Sequence, residues 1–192
     1  TNLLDKNIKN LTQKDKDKVK VTASTSHNDS NPYNIIDKKN DTIHHSKDEP
    51  DPWIEITLPN DINNINNIVV HNRFDNQREY ISQRIGYFDM IVYDVDDEEI
   101  ARKSFKHPPE GVQTEFKWNN VNTIGKKVRI QKISDFVGET TSTQGIIHGF
   151  LHIAEVEING YTIDEYILIT SNKKQENNSQ PDKWILLKTE DL

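Results

Sequence analysis

The 192-residue chain contains no cysteine, which excludes a disulfide framework, a cysteine-bound zinc site and a thiol nucleophile. Its apolar runs are strand-sized, and none approaches the ~18 residues that a membrane-spanning helix requires. Hydrophobic residues make up only 33% of the chain, which suits one compact domain with loose ends. Positive charge is also in deficit. The 24 Lys and Arg against 31 Asp and Glu leave a formal charge of −7, and no basic stretch is interleaved with stacking aromatics, so nucleic acid is not an expected partner. The densest acidic run, Asp94 with Asp96, Asp97, Glu98 and Glu99, reads as a solvated turn. The first residue is Thr1 rather than methionine, which suggests an excised or processed piece.

What the chain does have is a succession of short alternating segments. Residues 1–17 are polar, with a weak apolar period at Leu4, Ile8 and Leu11, and read as a lead-in or short helix. From Lys18 the β-rich runs are KVKVTAST, PYNII, WIEITL, NIVVHNRF, YFDMIVYDV, EIARKSF, TEFKW, KKVRIQKI and GIIHGFLHIAEVEI. Turn residues separate them: Asn31-Pro32, Pro50-Asp51-Pro52, Pro59-Asn60-Asp61, Pro108-Pro109-Glu110-Gly111 and Asn159-Gly160. Alternation sends Ile54, Ile56 and Leu58 to one face, and likewise Val128 and Ile130. No crossover helix is evident, so the expected fold is all-β, a jelly-roll β-sandwich over 18–163. Trp53 and Trp118 are expected in its core. Residues 164–192 add YILIT and WILLK around a polar loop, either an extra hairpin or the start of a neighbouring module.

Two segments carry chemistry. Asn34, Asp37 and Asn40 lie within seven residues and offer oxygens to a hard cation such as calcium, although Asn and Asp also fill turns by bonding their own backbone. The run Val69-Val70-His71-Asn72-Arg73-Phe74-Asp75 reads as a strand ending in Arg-x-Asp, which puts Arg73 and Asp75 on one side of it. A guanidinium fork can bond vicinal sugar hydroxyls while a carboxylate holds it; a structural ion pair is the alternative reading.

The ordered series VTASTS, YNIID, HHS, PWIEITLP, IVVHNRFD, FDMIVYD, KKVRIQ and LHIAEVEING, spanning about Val19 to Gly160, resembles the coagulation factor 5/8 type C (discoidin) domain. Within that galactose-binding-like group it looks most like the fucose-binding F-type lectins. The resemblance implies a sugar pocket of His45, Arg73 and Arg84 with Asp75 orienting the arginines, and an aromatic, Tyr80 or Phe74, against the apolar sugar face. Tyr80 stands where strict spacing places the second basic residue, so either Tyr80 or Arg84 completes the pocket. The chain departs from the pattern in a His45-to-Arg73 spacing one residue longer, in a later Arg84, and in Asn76-Gln77 where the family has adjacent cysteines. The resemblance further implies a structural Ca2+ held by Asn34, Asp37, the carbonyls of Lys39, Thr42 and Ala154, and Glu155, with Lys38 where the family carries glycine.

The implied function is a carbohydrate-binding, lectin-like module, secreted or surface-attached, whose partner is a fucosylated or galactosyl glycan. A protein-interaction or adhesion module of the same fold, with a protein surface as partner, is the alternative. An enzyme is not expected: the histidines form no i, i+4 pair on a helix and no His-Glu helix motif, and Ser24, Ser26 and Thr22 lack the strand-turn-helix glycine context of a hydrolase nucleophile. His148 and His152 alternate with apolar residues on a late strand and read as packed or exposed sheet histidines.

Overall fold

The computed structural model describes residues 8–28, 30–78, 80–108, 110–133 and 149–162 in full, and 166–170 and 184–188 as backbone; Tyr80 is also described only by its backbone. Two antiparallel sheets face each other. The first joins β1 (Lys9–Asn10), β11 (His152–Thr162), β5 (Asn63–Asn72) and β8 (Glu115–Trp118), with β3 (His44–His45) on β11 and β9 (Thr123–Gly125) on β5. The second runs β2 (Lys20–Ala23), β4 (Trp53–Thr57), β10 (Lys127–Lys132), β6 (Tyr87–Tyr93) and β7 (Glu99–Lys106).

Period-two alternation builds the space between the sheets. Val21, Ile54, Ile56, Val128, Ile130, Phe88, Met90 and Val92 come from the second sheet, and Ile65, Ile68, Val70, Phe116, Val156 and Ile158 from the first; all are buried. Ile65 and Ile68, three apart, both reach the core because the β5–β11 register shifts between Asn159 and Gly160, leaving Asn66 as an extra residue.

The same alternation corrects the expectation for Trp53. With Ile54 and Ile56 inward, Trp53 lies half-buried on the outer face of its sheet, where the Arg129 guanidinium sits 4.6 Å from its ring and 5.2 Å from that of Tyr93. Arg129 also donates through Nε and Nη2 to Glu55 Oε2 at 2.9 and 2.7 Å. Trp118 is partly buried against the core rather than within it.

Three further segments depart from the alternating pattern. PYNII is a 3-10 helix (Pro32–Ile36) rather than a strand: Asn31 Oδ1 accepts from Tyr33 N at 3.0 Å, Pro32 opens the turn, and Ile35 and Ile36 are fully buried. Within the lead-in, Leu11 is buried and its N–H donates to Ile158 O at 2.7 Å, followed by a 3-10 turn at Lys16–Lys18. The acidic run is a turn, in which Asp94 Oδ1 accepts from the amides of Asp96 and Glu98. Leu4 and His148 lie outside the described residues. The C-terminal segments form a hairpin, β12 (Tyr166–Thr170) with β13 (Trp184–Lys188), in register Tyr166 to Lys188.

Burial in this core sets an expected contrast. Ile56→Ala should lower the unfolding free energy by about 2–5 kcal/mol, whereas Ile62→Ala, at a site 51% exposed, should change it by less than about 0.5 kcal/mol; urea denaturation of both variants checks this.

Candidate functional site

The site grows from the pairing of β3 with β11. His45 stands opposite His152, their rings 4.0 Å apart and edge-on at 84°. His27 closes from the side, its N–H donating to His45 O at 2.8 Å and its ring centroid 4.8 Å from that of His45. Phe150 covers both, 5.4 Å from His45 and 6.0 Å from His152. Gly149 precedes Phe150 where a Cβ would lie 1.8 Å from Glu49 O, so only glycine fits this approach. Ser30 Oγ accepts from His45 N at 2.9 Å, and Ser46 Oγ accepts from Leu151 N at 2.9 Å, tying the loop to the sheet.

Two arginines lie within electrostatic range of this cluster. β5 ends at Asn72, so Arg73, Phe74 and Asp75 lie on the loop that follows, and strand alternation does not govern them as the sequence suggested. A short helix, α1 (Tyr80–Gln83), follows and presents Arg84 at its end. Asn72 Nδ2 donates to Ser82 O at 2.7 Å and to Gln113 O at 3.0 Å, binding α1 to the end of β5. The charges of Arg73 and Arg84 both act on His45 and on His152, so both arginines lie within electrostatic range of the two imidazoles.

Burial is the larger cause of what happens to these imidazoles. It pushes His45 down to about 4, with the neighbouring charge of His27, Arg73, Arg84 and His44 adding to it, and pushes His152 down to about 2. His44 falls to about 4, also through burial. The histidines are therefore neutral at neutral pH. His45 Nε2 and both ring nitrogens of His152 are buried with no hydrogen-bond partner.

Lys132 is an unexpected member. Its side chain is buried, and Nζ donates to Arg84 O and, at 3.1 Å, to Phe150 O, stitching the arginine loop to the aromatic cover. Burial lowers its pKa to about 8, while Asp48 favours the charged form. Its signal was in the alternation: Val128, Ile130 and Lys132 share a face, so a lysine occupies an inward position. His27 and Phe150 carried no comparable signal.

Asp75 is engaged with Arg78. Its Oδ2 accepts from Arg78 Nε at 2.9 Å and Oδ1 from Gln77 N at 3.0 Å, and those bonds, with Arg73 acting at longer range, hold its carboxyl below the usual range. The backbone of Tyr80 opens α1 beside this loop.

The oxygen-rich loop forms beneath. Asp37 Oδ1 accepts from Lys39 N at 2.9 Å and Oδ2 from Thr42 Oγ1 at 2.8 Å, so the turn-filling role is realised there, and Asn34 Nδ2 donates to Ile43 O at 2.9 Å. Glu155 Oε2 accepts from Lys38 N at 3.0 Å. Ala154 is the extra residue of a bulge, because Ile153 pairs with Asn72 and Glu155 with His71. The Glu155 carboxyl, 4% exposed, is pushed up to about 7, chiefly by burial, with Asp37 and Glu157 adding repulsion. Asp37 is half-buried and Glu155 buried, and the charge of the first acts on the second, so the pair supplies oxygen donors of the type a hard divalent cation takes. Among the described residues no group of three or more His, Cys, Asp or Glu side chains gathers that could hold a metal ion. No described helix is long and apolar enough to cross a membrane.

These two sheets and their loops define a galactose-binding-like (discoidin) β-sandwich. Several solved structures share it: a mutant lectin-binding domain of lectinolysin in complex with Lewis b is 17% identical with a TM-score of 0.59, over 74% of this chain and 92% of that one. A fucose-binding module of Streptococcus pneumoniae, SpX-3, is 23% identical with a TM-score of 0.57, over 72% and 91%. The family 32 carbohydrate-binding module of C. perfringens NanJ, solved with galactose, is 15% identical with a TM-score of 0.56, over 79% and 98%. Neither a protein-family model nor a curated protein sequence matches the chain.

The depressed histidines set an expected acid sensitivity. The unfolded chain binds protons near pH 6.5 that the folded His44, His45 and His152 refuse until about 4, 4 and 2, so stability is intact above pH 6.5 and falls as pH drops below it. Glu155 acts with the opposite sign between 4.5 and about 7, so the test belongs in a Glu155→Gln background. There, urea midpoints should decline from pH 6.5 to 4, and His152→Asn should flatten the decline.

Proposed function

We propose that the chain is a carbohydrate-binding, lectin-like module that holds a sugar at the end of the sandwich between His45, Arg73 and Arg84. What supports this reading is that two distant chain segments come near each other, Arg73 and Arg84 standing within electrostatic range of His45. Each arginine offers a planar fork of donors suited to vicinal hydroxyl oxygens. With Nε2 buried, a neutral His45 would meet a hydroxyl through Nδ1, as donor or acceptor according to its tautomer. The neighbours support the same reading, having been solved with Lewis b and with galactose or described as fucose-binding. A fucosylated or galactosyl glycan is the proposed partner, and a glycan ligand implies a module working outside the cell. No catalytic role is assigned to it; a single shallow site is expected to bind weakly, with Kd on the order of 0.1–1 mM.

Calcium belongs to the same proposal. Asn34, Asp37, Glu155 and the carbonyls of Lys39, Thr42 and Ala154 would hold the ion, whose charge would offset the burial, and the lesser repulsion, that raise Glu155. The ion would tie the loop leading to His45 to the bulge of β11.

Two outcomes follow. Arg73→Ala should abolish binding on a glycan array while leaving the thermal unfolding transition in place; unchanged binding would rule out the pocket. Calcium should raise the unfolding temperature relative to a chelator, by an amount that grows with ion concentration, and Glu155→Gln should remove that shift; equal temperatures with and without the ion would reject the metal site.

A further inference from the structure

Lys132, the last residue of β10, is 2% exposed, and its Nζ donates to the carbonyls of Arg84 and, at 3.1 Å, Phe150. Taking an ammonium out of water is costly, and an apolar side chain of similar length would fill the same space without that cost. What an apolar side chain could not do is hold two carbonyls at once. One of them, that of Arg84, follows directly on α1, and the carbonyls at the end of a helix have no partner within it.

The two carbonyls belong to opposite halves of the proposed pocket. Arg84 lies between α1 and β6, a strand of the second sheet, whereas Phe150 leads into β11 of the first. Each turn is closed by its own bonds. Arg84 N donates to Ile81 O at 3.2 Å and Gly86 N to Gln83 O at 3.0 Å. On the other side Glu49 N donates to Gly149 O at 3.3 Å and Ser46 N to Leu151 O at 3.0 Å, which fixes Phe150 along the segment that follows His45, its ring 5.4 Å from that imidazole. The Lys132 ammonium joins the two turns, and its own backbone is held by the sheet: its N–H donates to Pro52 O at 2.9 Å, and it pairs with Phe88 of β6.

We propose that Lys132 is a positioning residue of the pocket: without touching the sugar, its ammonium sets where Arg84 stands relative to His45, and with that the affinity for the ligand. The inference rests on the sugar-binding reading above. Charge is what the role requires, because a neutral amine donates more weakly than an ammonium and an apolar side chain not at all. Burial lowers the Lys132 pKa to about 8; Asp48 acts against that shift, Arg84 adds to it, and His152, which also feels the ammonium, is neutral throughout this range. The link is thus closed at pH 7 and loosens as pH rises through about 8. Glu155, whose pKa is about 7, is already largely ionised there.

The test compares the wild-type chain with Lys132→Met and Lys132→Arg. An array carrying fucose, galactose, Lewis b and GalNAc-β-1,3-galactose identifies what the wild-type chain binds, and calorimetry then measures that sugar from about pH 7.5 to about pH 9.5, on either side of the Lys132 transition. Wild-type affinity should fall about tenfold across the range, the scale of a lost charged hydrogen bond. Lys132→Met should bind weakly and without pH dependence, and Lys132→Arg, whose fork stays charged, should restore binding and hold it level. The backbone amides of Ile85 and Leu151 share peptide planes with the two accepting carbonyls and report the link without any ligand. Their NMR signals should move together in the wild-type chain with a midpoint near pH 8, and should not do so in Lys132→Met. If folded Lys132→Met binds the sugar as tightly as the wild-type chain, if wild-type affinity is level across the range, or if the two amides do not move together, the positioning role is overturned while the pocket stands. Should Lys132→Met fail to fold, the wild-type profile and the two amides decide by the same criteria. If the wild-type chain binds no sugar on the array, the sugar-binding reading itself fails and this inference with it.

Discussion

The antiparallel pairing of β11 with β3 on one side and β5 on the other is the constraint from which the site follows. Sequence separation puts His45 and Arg73 in unrelated segments, yet both segments border the same few residues of β11: His152 faces His45, Ile153 faces His44 and Asn72, and Arg73 follows Asn72. The apolar core fixes that register, since a one-residue slip of β11 would turn Val156 and Ile158 out to solvent. Core packing thus aligns the two segments of the proposed pocket without either arginine contributing to the core.

Net charge is a poor guide to this end of the molecule. The chain carries −7 overall, yet Arg73, Arg84 and Lys132 gather around three imidazoles. Burial reconciles the two. It keeps His45 and His152 neutral at neutral pH, so the cluster holds cations without a second set of charges pressed against them. The carbonyls of Arg84 and Phe150 accept from Lys132 Nζ, which turns a buried ammonium into a cross-link between two loops.

The sandwich was legible because period-two patterning survives in nearly every strand; Ile54 with Ile56, and Val128 with Ile130, point where alternation says they must. The same rule, followed one residue further, assigns Trp53 to the outer face and marks Lys132 as a polar residue turned inward. Legibility failed where local hydrogen bonding overrode pattern. PYNII has β-type composition, but Asn31 and Pro32 cap it into a 3-10 turn, and Arg73 and Asp75 lie beyond the strand on which alternation placed them. His45, Arg73 and Arg84 of the proposed pocket were suggested by the family resemblance; His27 and Phe150 were not, because their places beside His45 are set by contacts across the fold.

The loop that leads to His45 is held by two features that are each unfavourable alone. Lys38 takes a left-handed conformation with φ of 68°, which costs a non-glycine residue about 1–2 kcal/mol. Glu155 is a carboxylate buried to the point where its pKa rises to about 7. They meet in one hydrogen bond, Lys38 N to Glu155 Oε2. That bond favours the ionised carboxylate that burial disfavours, and it anchors the backbone turn that the lysine side chain disfavours. The bulge at Ala154 sets where Glu155 falls along β11, so an irregularity in the last strand of the sandwich governs the first loop of the pocket. A side chain 117 positions away in sequence therefore does what a glycine would otherwise do locally, and the geometry of His45 becomes a property of the whole sandwich rather than of its own loop.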